Sequence, residues 1–202
     1  MSDQADPTAT REIYDSVAER YDANRSRALF EARWLARFTA CLPVGGRVLD
    51  LGCGAGEPIA RWFIAEGFDV VGADFSPAML DIAQTRWPNG DWRQVDMRDL
   101  NLGEDFDGIV CWNSFFHLTR EEQRRTLPLL AGHLRSGGSL LVTVGTHEGE
   151  VTGTVGGKTV YHASLNLSEY TRILEENGLR LTGFLAEDPE CSQHSVMMAR
   201  KD

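Results

Sequence analysis

The chain has 202 residues, of which 42% are hydrophobic and 25% charged, a composition typical of a folded domain rather than a disordered chain. Its formal net charge of −10 argues against a broad surface for nucleic acid or anionic membranes, because both need faces rich in Lys and Arg. No apolar run approaches membrane-spanning length, and the polar first ten residues lack a signal core, so we expect a cytoplasmic protein. The four cysteines are widely separated without a C-x-x-C pair, which predicts neither a metal site nor a disulfide framework.

Apolar residues at helical spacing predict two helices at the start of the chain, over 11–21 and 27–41. Apolar runs then predict strands that alternate with helical segments. The predicted strands cover 47–51, 68–73, 91–95, 106–112 and 139–144, and the helices between them begin near 59, 77 and 120. This alternation predicts an α/β protein built on a parallel, doubly wound sheet.

The helix after the fourth strand carries conflicting signals. Thr119 and Glu122 have the spacing of a capping box, which predicts that the helix begins there. Pro128 lies inside the same pattern and lacks an N–H group, so it is predicted to kink the helix or split it in two.

After the fifth strand the pattern changes. Residues 146–167 contain two β-rich pieces around Gly156-Gly157, which predicts a hairpin. Ser168 is predicted to cap one more helix, and two last strands are expected over 179–186 and 195–199. No repeat or linker indicates a second domain, so the whole chain, 1–202, is predicted to be one.

The stretch Arg47–Pro58 combines a buried strand, a glycine-rich turn and the start of a helix. Such a turn lets a ligand approach the backbone, and a helix start offers free N–H groups. One alternative is a dinucleotide site, whose G-x-G-x-x-G fingerprint places a pyrophosphate on the helix N-terminus. Here the third glycine comes one residue early and Glu57 stands in its place. With Asp50 at the strand end, the loop suits a ligand with cationic groups better than a diphosphate.

The run D-L-G-C-G-A-G at 50–56 resembles the first motif of the class I S-adenosylmethionine-dependent methyltransferases. The resemblance implies a Rossmann-like fold with a seven-stranded mixed sheet, whose last two strands run antiparallel with one of them beside the fifth. It also implies that the loop wraps the methionine part of the cofactor, S-adenosyl-L-methionine, whose amino and sulfonium groups are positive. The loop residues predicted to bind the cofactor are Asp50, Gly52, Cys53, Gly54 and Gly56.

Acidic residues end three successive predicted strands, at Asp50, Asp74 and Asp96. Asp74 follows Asp50 at nearly the spacing at which nucleotide-binding folds place an acid on ribose hydroxyls, and a carboxylate can accept from both hydroxyls of a diol. The family resemblance implies that Asp96 accepts from the adenine amine and that the next residue lends its N–H to the ring. The apolar residues predicted to enclose the adenine are Phe75, Met79 and Met97.

The segment 112–118 leaves the fourth strand where the family commonly has catalytic or cofactor-contacting residues. Nucleic-acid amino-methyltransferases carry N-P-P-Y here, whereas this chain has Asn113-Ser114-Phe115-Phe116 without the prolines, which argues against that class. Asn113 is predicted to hydrogen-bond the cofactor. His117 is a candidate general base, since the free pKa of histidine lies near neutrality, and a structural role is the alternative.

Tyr14 and Tyr21 belong to a run that resembles the Y-D-x-x-A-x-x-Y-D lead-in of small-molecule methyltransferases. The resemblance implies that residues 1–42 form a helical lid, with the two tyrosines over the cofactor; plain helix packing is the alternative. Tyrosine faces suit a sulfonium and tyrosine hydroxyls suit a carboxylate. Arg25 or Arg27 would meet the cofactor carboxylate, a choice that the sequence leaves open.

The predicted hairpin, 146–167, falls where family members wall the acceptor pocket. Tyr161 and His162 are therefore candidates for acceptor contact or proton removal, although alternation puts only one of them inward on a strand.

Taken with the resemblance, these residues predict methyl transfer to a small-molecule acceptor by in-line displacement. The expected protein is a monomer or homodimer that binds neither nucleic acid nor membrane. A methyltransferase acting on protein or nucleic acid, or a non-catalytic protein that binds S-adenosylmethionine, are the alternatives. An oxidoreductase would need a nicotinamide site, which Glu57 disfavours.

Overall fold

The structure of the protein, a computed structural model, describes residues 5–202. Within that range the strands are β1 (Arg47–Leu51), β2 (Asp69–Asp74), β3 (Asp91–Gln94), β4 (Phe106–Cys111), β5 (Leu134–Val144), β6 (Gly149–Val155), β7 (Lys158–Ser164), β8 (Leu179–Asp188) and β9 (His194–Lys201). The helices are α1 (Thr10–Asn24), α2 (Ala32–Thr39), α3 (Ile59–Ala65), α4 (Pro77–Arg86), α5 (Arg120–Gly132) and α6 (Leu167–Glu176).

Seven strands form one sheet in the order β3-β2-β1-β4-β5-β9-β8. Strands β1 to β5 are parallel, and β9 lies antiparallel between β5 and β8. The predicted seven-stranded mixed sheet, with an antiparallel last pair and one member beside the fifth strand, is therefore confirmed. Strands β6 and β7 form a separate hairpin whose turn is at Gly156-Gly157, as predicted.

Helices cover both faces of the sheet, and successive residues of a strand point into the two opposite layers. In β1, Leu49 and Leu51 face the apolar layer formed with α5 and α6, whereas Val48 belongs to the layer formed with α2 and α3. Asp50 alternates with Leu49 and Leu51, so its carboxylate lies on the α2–α3 side among apolar neighbours and is only 2% exposed.

The strand order reverses direction at β1, which has β2 on one side and β4 on the other. In open α/β sheets such a switch point leaves a crevice at the carboxyl ends of the strands. Here the crevice lies between the turn after β1 and the turn after β4, so the fold brings the glycine loop and Asn113 together.

The N-terminal range predicted as a lid, 1–42, has two parts in the described chain. Helix α2 packs against the sheet through Trp34, Leu35 and Phe38, which are 5% exposed or less, so it belongs to the core. Helix α1 lies over the crevice. The lid function remains a prediction, and it now applies to α1.

Several details differ from the sequence prediction, among them the start of β5, which is Leu134 rather than Ser139. Helix α2 begins at Ala32 rather than near 27, because Arg25 and Arg27 hold the preceding loop through ion pairs and Leu29 has a left-handed φ of 50°. Helix α5 runs through Pro128 without splitting in two. The carbonyl left without a donor is that of Arg124, a partly exposed residue, so water can reach it. Helix α6 is capped by Asn166, which accepts from the N–H of Glu169, and not by Ser168. The capping box of Thr119 and Glu122 is confirmed.

Candidate active site

A cavity of about 1080 Å³, including space open to solvent, lies at the carboxyl ends of β1, β2 and β4 under α1. The structure brings most of the predicted site residues to its wall. They are Tyr14, Tyr21, Asp50, Gly52, Cys53, Gly54, Asp74, Phe75, Met79, Asp96, Met97, Asn113 and His117. Gly56, Tyr161 and His162 do not line it. These residues come from widely separated parts of the sequence, and the parallel strands bring them to one edge of the sheet.

Two glycines shape the loop after β1, each for its own reason. A Cβ on Gly52 would lie 2.2 Å from the Cβ of Ser114, so only glycine lets the turns after β1 and β4 approach each other. Gly54 has a φ of 53°, and a Cβ there would meet nothing within 4 Å. The open space beside Gly54 belongs to the cavity, which a ligand can enter down to the backbone.

The acids Asp50 and Asp74 lie at the floor of the cavity and are almost fully buried. Burial and the neighbouring charge of Asp74 raise the pKa of Asp50 to about 7. Burial likewise raises the pKa of Asp74 to about 6, against the lowering effect of N–H groups that include those of Ser76 and Gly54, each 2.9 Å from a carboxylate oxygen. Within residues 5–202 neither acid forms an ion pair, so this floor favours a ligand that brings positive charge.

Asp96 lies at the other side of the cavity and is already paired. Its two carboxylate oxygens accept from the guanidinium of Arg98 at 2.5 to 3.0 Å. Partial burial would raise the pKa of Asp96, but these hydrogen bonds hold it below its usual value. The predicted bond from Asp96 to an adenine amine would therefore share its acceptor with Arg98.

His117 connects three parts of the structure. A carbonyl oxygen can only accept, so Nδ1 donates to the backbone oxygen of Tyr161 at 3.1 Å. Nε2 is then the acceptor and receives the hydroxyl of Tyr14 at 2.9 Å. Burial and the nearby ring of His162 lower the pKa of His117 to about 4, so the imidazole is neutral at pH 7.

Asn113 follows β4 in the left-handed region, with a φ of 53°, and its N–H donates to Thr143 Oγ1 at 2.7 Å. The side-chain oxygen Oδ1 is buried and has no hydrogen-bond partner within the described chain. A buried acceptor without a donor is rare and favours a ligand that donates to it.

The hairpin residues Tyr161 and His162 lie behind the cavity wall. The ring of His162 is 4.8 Å from that of His117 and 4.6 Å from that of Phe116. The side chain of Tyr161 faces the opposite side of β7, where burial and the carboxylate of Glu150 raise its pKa to about 12. Direct proton removal by either residue stays an untested prediction, and neither side chain reaches the cavity as it stands.

Arg25 and Arg27, the two candidates for binding the cofactor carboxylate, have different surroundings. Arg25 lines the cavity, and its guanidinium is 2.6 Å from Glu31. Arg27 does not line it and is paired with Asp22 and Glu57.

Glu57 is also within 4 Å of two other arginines, so its charge is compensated and is a weaker argument against a diphosphate than the sequence indicated. That argument now rests on the unpaired acids of the floor.

Sequence reasoning did not single out Trp112 and Ser114 as site residues. Both line the cavity, and Ser114 Oγ donates to the carbonyl of Leu51 at 2.9 Å, which joins the turns after β4 and β1. Their position directly beside Asn113 was the available signal.

The four cysteines are free, and no group of three metal-binding side chains occurs within residues 5–202. No helix in that range has the length and apolar character needed to cross a bilayer.

Comparison with known proteins agrees with the geometry. A family described as a methyltransferase domain matches residues 48–138. The chain is 30% identical over 175 residues to dTDP-4-amino-2,3,4,6-tetradeoxy-D-glucose N,N-dimethyltransferase of Saccharopolyspora spinosa, covering 85% of this chain and 69% of that protein. It is 35% identical over 138 residues to the putative methyltransferase YqeM of Bacillus subtilis, covering 65% of this chain and 55% of that one.

Among solved structures, the chain resembles CalS10 of Micromonospora echinaspora with bound S-adenosylmethionine, an amino pentose methyltransferase. The TM-score is 0.71 at 21% identity, over 94% of this chain and 97% of the other, a likeness of fold. The glycine loop, the acids at the strand ends and the sequence relationship over most of a curated enzyme lead to one conclusion. The chain belongs to the class I S-adenosylmethionine-dependent methyltransferases.

Proposed function

We propose that the protein transfers a methyl group from S-adenosylmethionine to the amine nitrogen of a small molecule, by in-line displacement. The observation that carries the choice of an amine is the state of His117. Its Nε2 already accepts from Tyr14 and its pKa is about 4. A hydroxyl acceptor needs a base near the methyl group, whereas a neutral amine attacks with its own lone pair.

The floor and roof of the cavity fit the cofactor. When bound, S-adenosylmethionine supplies an electrophilic methyl group on a positively charged sulfur. The ionised forms of Asp50 and Asp74 would stabilise its cationic groups, and Asp74 would also accept from the ribose hydroxyls. Arg25 is the cation placed to meet the cofactor carboxylate, with Tyr14 and Tyr21 above.

The sequence predicted that Asn113 hydrogen-bonds the cofactor, a prediction that remains untested; we assign Asn113 to the acceptor nitrogen instead. Its buried Oδ1 has no donor within the described chain, and an amine N–H would satisfy it. Such a bond directs the nitrogen lone pair away from Asn113. Orientation of this kind, together with exclusion of water by α1, is the contribution expected from the protein.

The related enzymes support an amine. The Saccharopolyspora relative is by its name an N,N-dimethyltransferase of an amino sugar nucleotide, and CalS10 is described as an amino pentose methyltransferase. The overall charge of −10 disfavours nucleic acid as the acceptor.

The test measures release of S-adenosylhomocysteine with paired acceptors, in which each amino sugar or amino acid is compared with the analogue bearing a hydroxyl in place of the amine. We expect product with amines only. Turnover of a hydroxyl analogue would contradict the choice of nitrogen. Tight cofactor binding without turnover on small or macromolecular acceptors would favour the non-catalytic alternative.

A pH–rate profile for His117→Ala, His162→Ala and Tyr161→Phe tests whether the enzyme uses a general base, which an amine acceptor would not need. With an amine acceptor, none of the three should lose the 10²–10⁴-fold in kcat typical of a missing general base. A large loss in one variant that alkaline pH restores would show that a base operates.

A further inference from the structure

Helix α1 and the hairpin β6–β7 are joined through one side chain. His117 accepts from Tyr14 on α1 with one ring nitrogen and donates to the backbone of Tyr161 on β7 with the other. Both bonds need the neutral form with hydrogen on Nδ1, and the burial of the ring described above favours the neutral form. The roof of the cofactor cavity and the predicted wall of the acceptor pocket therefore share His117.

An apolar contact reinforces this joint further along the helix. Val17 of α1 packs with Val155 and Val160 of the hairpin. The turn between the strands comes so close that a Cβ on Gly156 would lie 2.9 Å from the Cβ of Val17. Lys158 Nζ also donates to Ser16 Oγ at 2.7 Å. A displacement of the hairpin thus acts on α1 through several contacts within one turn of the helix, from Tyr14 to Val17.

The opposite side of α1 contacts the cofactor half of the protein. Asp15 accepts from the Oγ of Ser76 at 2.5 Å, two residues after Asp74 in the chain. At the end of the helix Asp22 accepts from Arg86 at 2.6 Å, and Arg86 also donates to the carbonyl of Ala55 in the glycine loop. Helix α1 is consequently held between the cofactor loop and the hairpin.

We propose that His117 is a positioning residue that couples the acceptor-side hairpin to the lid, so that the cofactor leaves more slowly when the hairpin is ordered. This inference rests on the proposed function, because it needs the cofactor under α1. Coupling between two sites is reciprocal, so cofactor binding should order the hairpin to the same extent.

Two substitutions separate the two bonds of the imidazole. In His117→Asn the amide nitrogen can replace Nδ1 and keep the bond to Tyr161, but nothing replaces Nε2. In His117→Gln the longer side chain can place an oxygen near Nε2 for Tyr14, while the bond to Tyr161 is lost. Each variant breaks the connection on a different side, and Tyr14→Phe removes the lid bond from the other partner.

The first measurement is the dissociation rate of S-adenosylhomocysteine from the full chain, by stopped-flow displacement. Loss of one neutral hydrogen bond predicts a rate about 2- to 10-fold faster in Tyr14→Phe and in His117→Asn. The double variant should be no faster than the faster single one, because both remove the same bond. His147→Asn, an exposed histidine before β6, is the matched control and should behave as the parent.

The second measurement is amide hydrogen exchange in β7 with and without S-adenosylhomocysteine. The ligand should slow exchange in the parent and in His147→Asn, and this protection should be lost in both His117→Asn and His117→Gln. A structural role alone would change exchange without making it independent of ligand. Unfolding curves without ligand verify that each variant is folded.

The outcomes are separable. If S-adenosylhomocysteine does not bind the parent, the proposed function fails. If it binds and the rates are unchanged or additive, or β7 stays protected by ligand in the His117 variants, the coupling is overturned and the proposed function stands.

Discussion

Acidic residues at the amino end of the parallel sheet have different surroundings from Asp50 and Asp74 at its carboxyl end. At the amino end, Arg47 and Arg93 share Glu104, with distances of 2.5 and 2.6 Å, and Arg93 also pairs with Asp91. These bonds hold the pKa values of Glu104 and Asp91 below their usual range. At the carboxyl end, Asp50 and Asp74 are buried without an ion pair in the described chain, and their pKa values rise to about 7 and 6.

The presence or absence of an ion pair decides whether a carboxylate stabilises the fold or is available to bind a ligand. The ionised form of a paired, partly exposed carboxylate is stabilised by its partner, and the pair contributes modestly to the free energy of folding. An unpaired, buried carboxylate opposes folding when ionised, so its ionised form is available to a cationic ligand. Aspartate thus stabilises the fold at the amino end of the sheet, as Asp91, and lines the candidate site at the carboxyl end, as Asp50 and Asp74.

The largest effect is expected for Asp74→Ala. If Asp74 accepts from both ribose hydroxyls as proposed, the change removes two hydrogen bonds, each worth about 1.5–3 kcal/mol at most, and affinity for S-adenosylhomocysteine should fall roughly 10- to 1,000-fold. Calorimetric titration measures it, with Asp91→Ala from the amino end as the control that should bind like the parent. Equal affinity in Asp74→Ala would place the diol elsewhere and remove the distinction between the two ends.

Asp50→Asn should stabilise the protein without cofactor at pH 8 by ~2–4 kcal/mol, since one unit of pKa shift corresponds to about 1.4 kcal/mol. The folded-state pKa of Asp50 is raised above the unfolded value, so its cost to stability develops as pH rises from about 4 to about 7. Urea unfolding at pH 8 and pH 4 checks this, because the gain should shrink to below about 1 kcal/mol at pH 4, where the carboxyl is protonated in the folded state and about half protonated in the unfolded state. Affinity for the cofactor should fall in the same variant; a gain of the same size at pH 4 would contradict the assignment.

Cofactor binding by the parent should release protons at pH 6.5. A cationic ligand lowers the raised pKa values of Asp50 and Asp74, so affinity should increase with pH below about 7, by at most about tenfold per pH unit for each group. Titrations in two buffers of different ionisation enthalpy count the protons. S-adenosylmethionine should release more than S-adenosylhomocysteine, which lacks the sulfonium charge, and equal or zero release would argue against charge complementarity at the floor.

The smallest effect is expected for Glu104→Gln at the amino end. The pairs with Arg47 and Arg93 are partly exposed, so the free energy of unfolding should fall by about 0.5–1 kcal/mol. The loss should shrink in 1 M salt, where surface charges are screened. Urea titrations at low and high salt measure it, and a change in cofactor affinity would break the proposed division between the ends of the sheet.

Sequence patterns correctly predicted the end of an element where that end depends only on residues nearby in the chain. Thr119 and Glu122 complete a capping box within four residues of one another, so context elsewhere in the chain does not alter it. Asn166 and Ser168 are both good caps, and only the position of the chain after β7 decides for Asn166. The loop before α2 was missed because its conformation depends on ion pairs with Asp22, Glu31 and Glu57, two of which lie outside it.

The sequence by itself determined the sheet, the glycine loop and the acids at the strand ends, because strand periodicity and strand–turn–helix chemistry are local and the parallel order places every such end at one edge. The tertiary structure decided what each charged or titratable group does there. Burial without an ion pair distinguishes Asp50 from Asp96, and a place in the cavity wall distinguishes Arg25 from Arg27. Contacts across 103 and 44 positions of the chain make His117 a neutral acceptor between lid and hairpin. Desolvation and hydrogen bonding depend on distances in space, and the spacing of residues along the chain does not contain them.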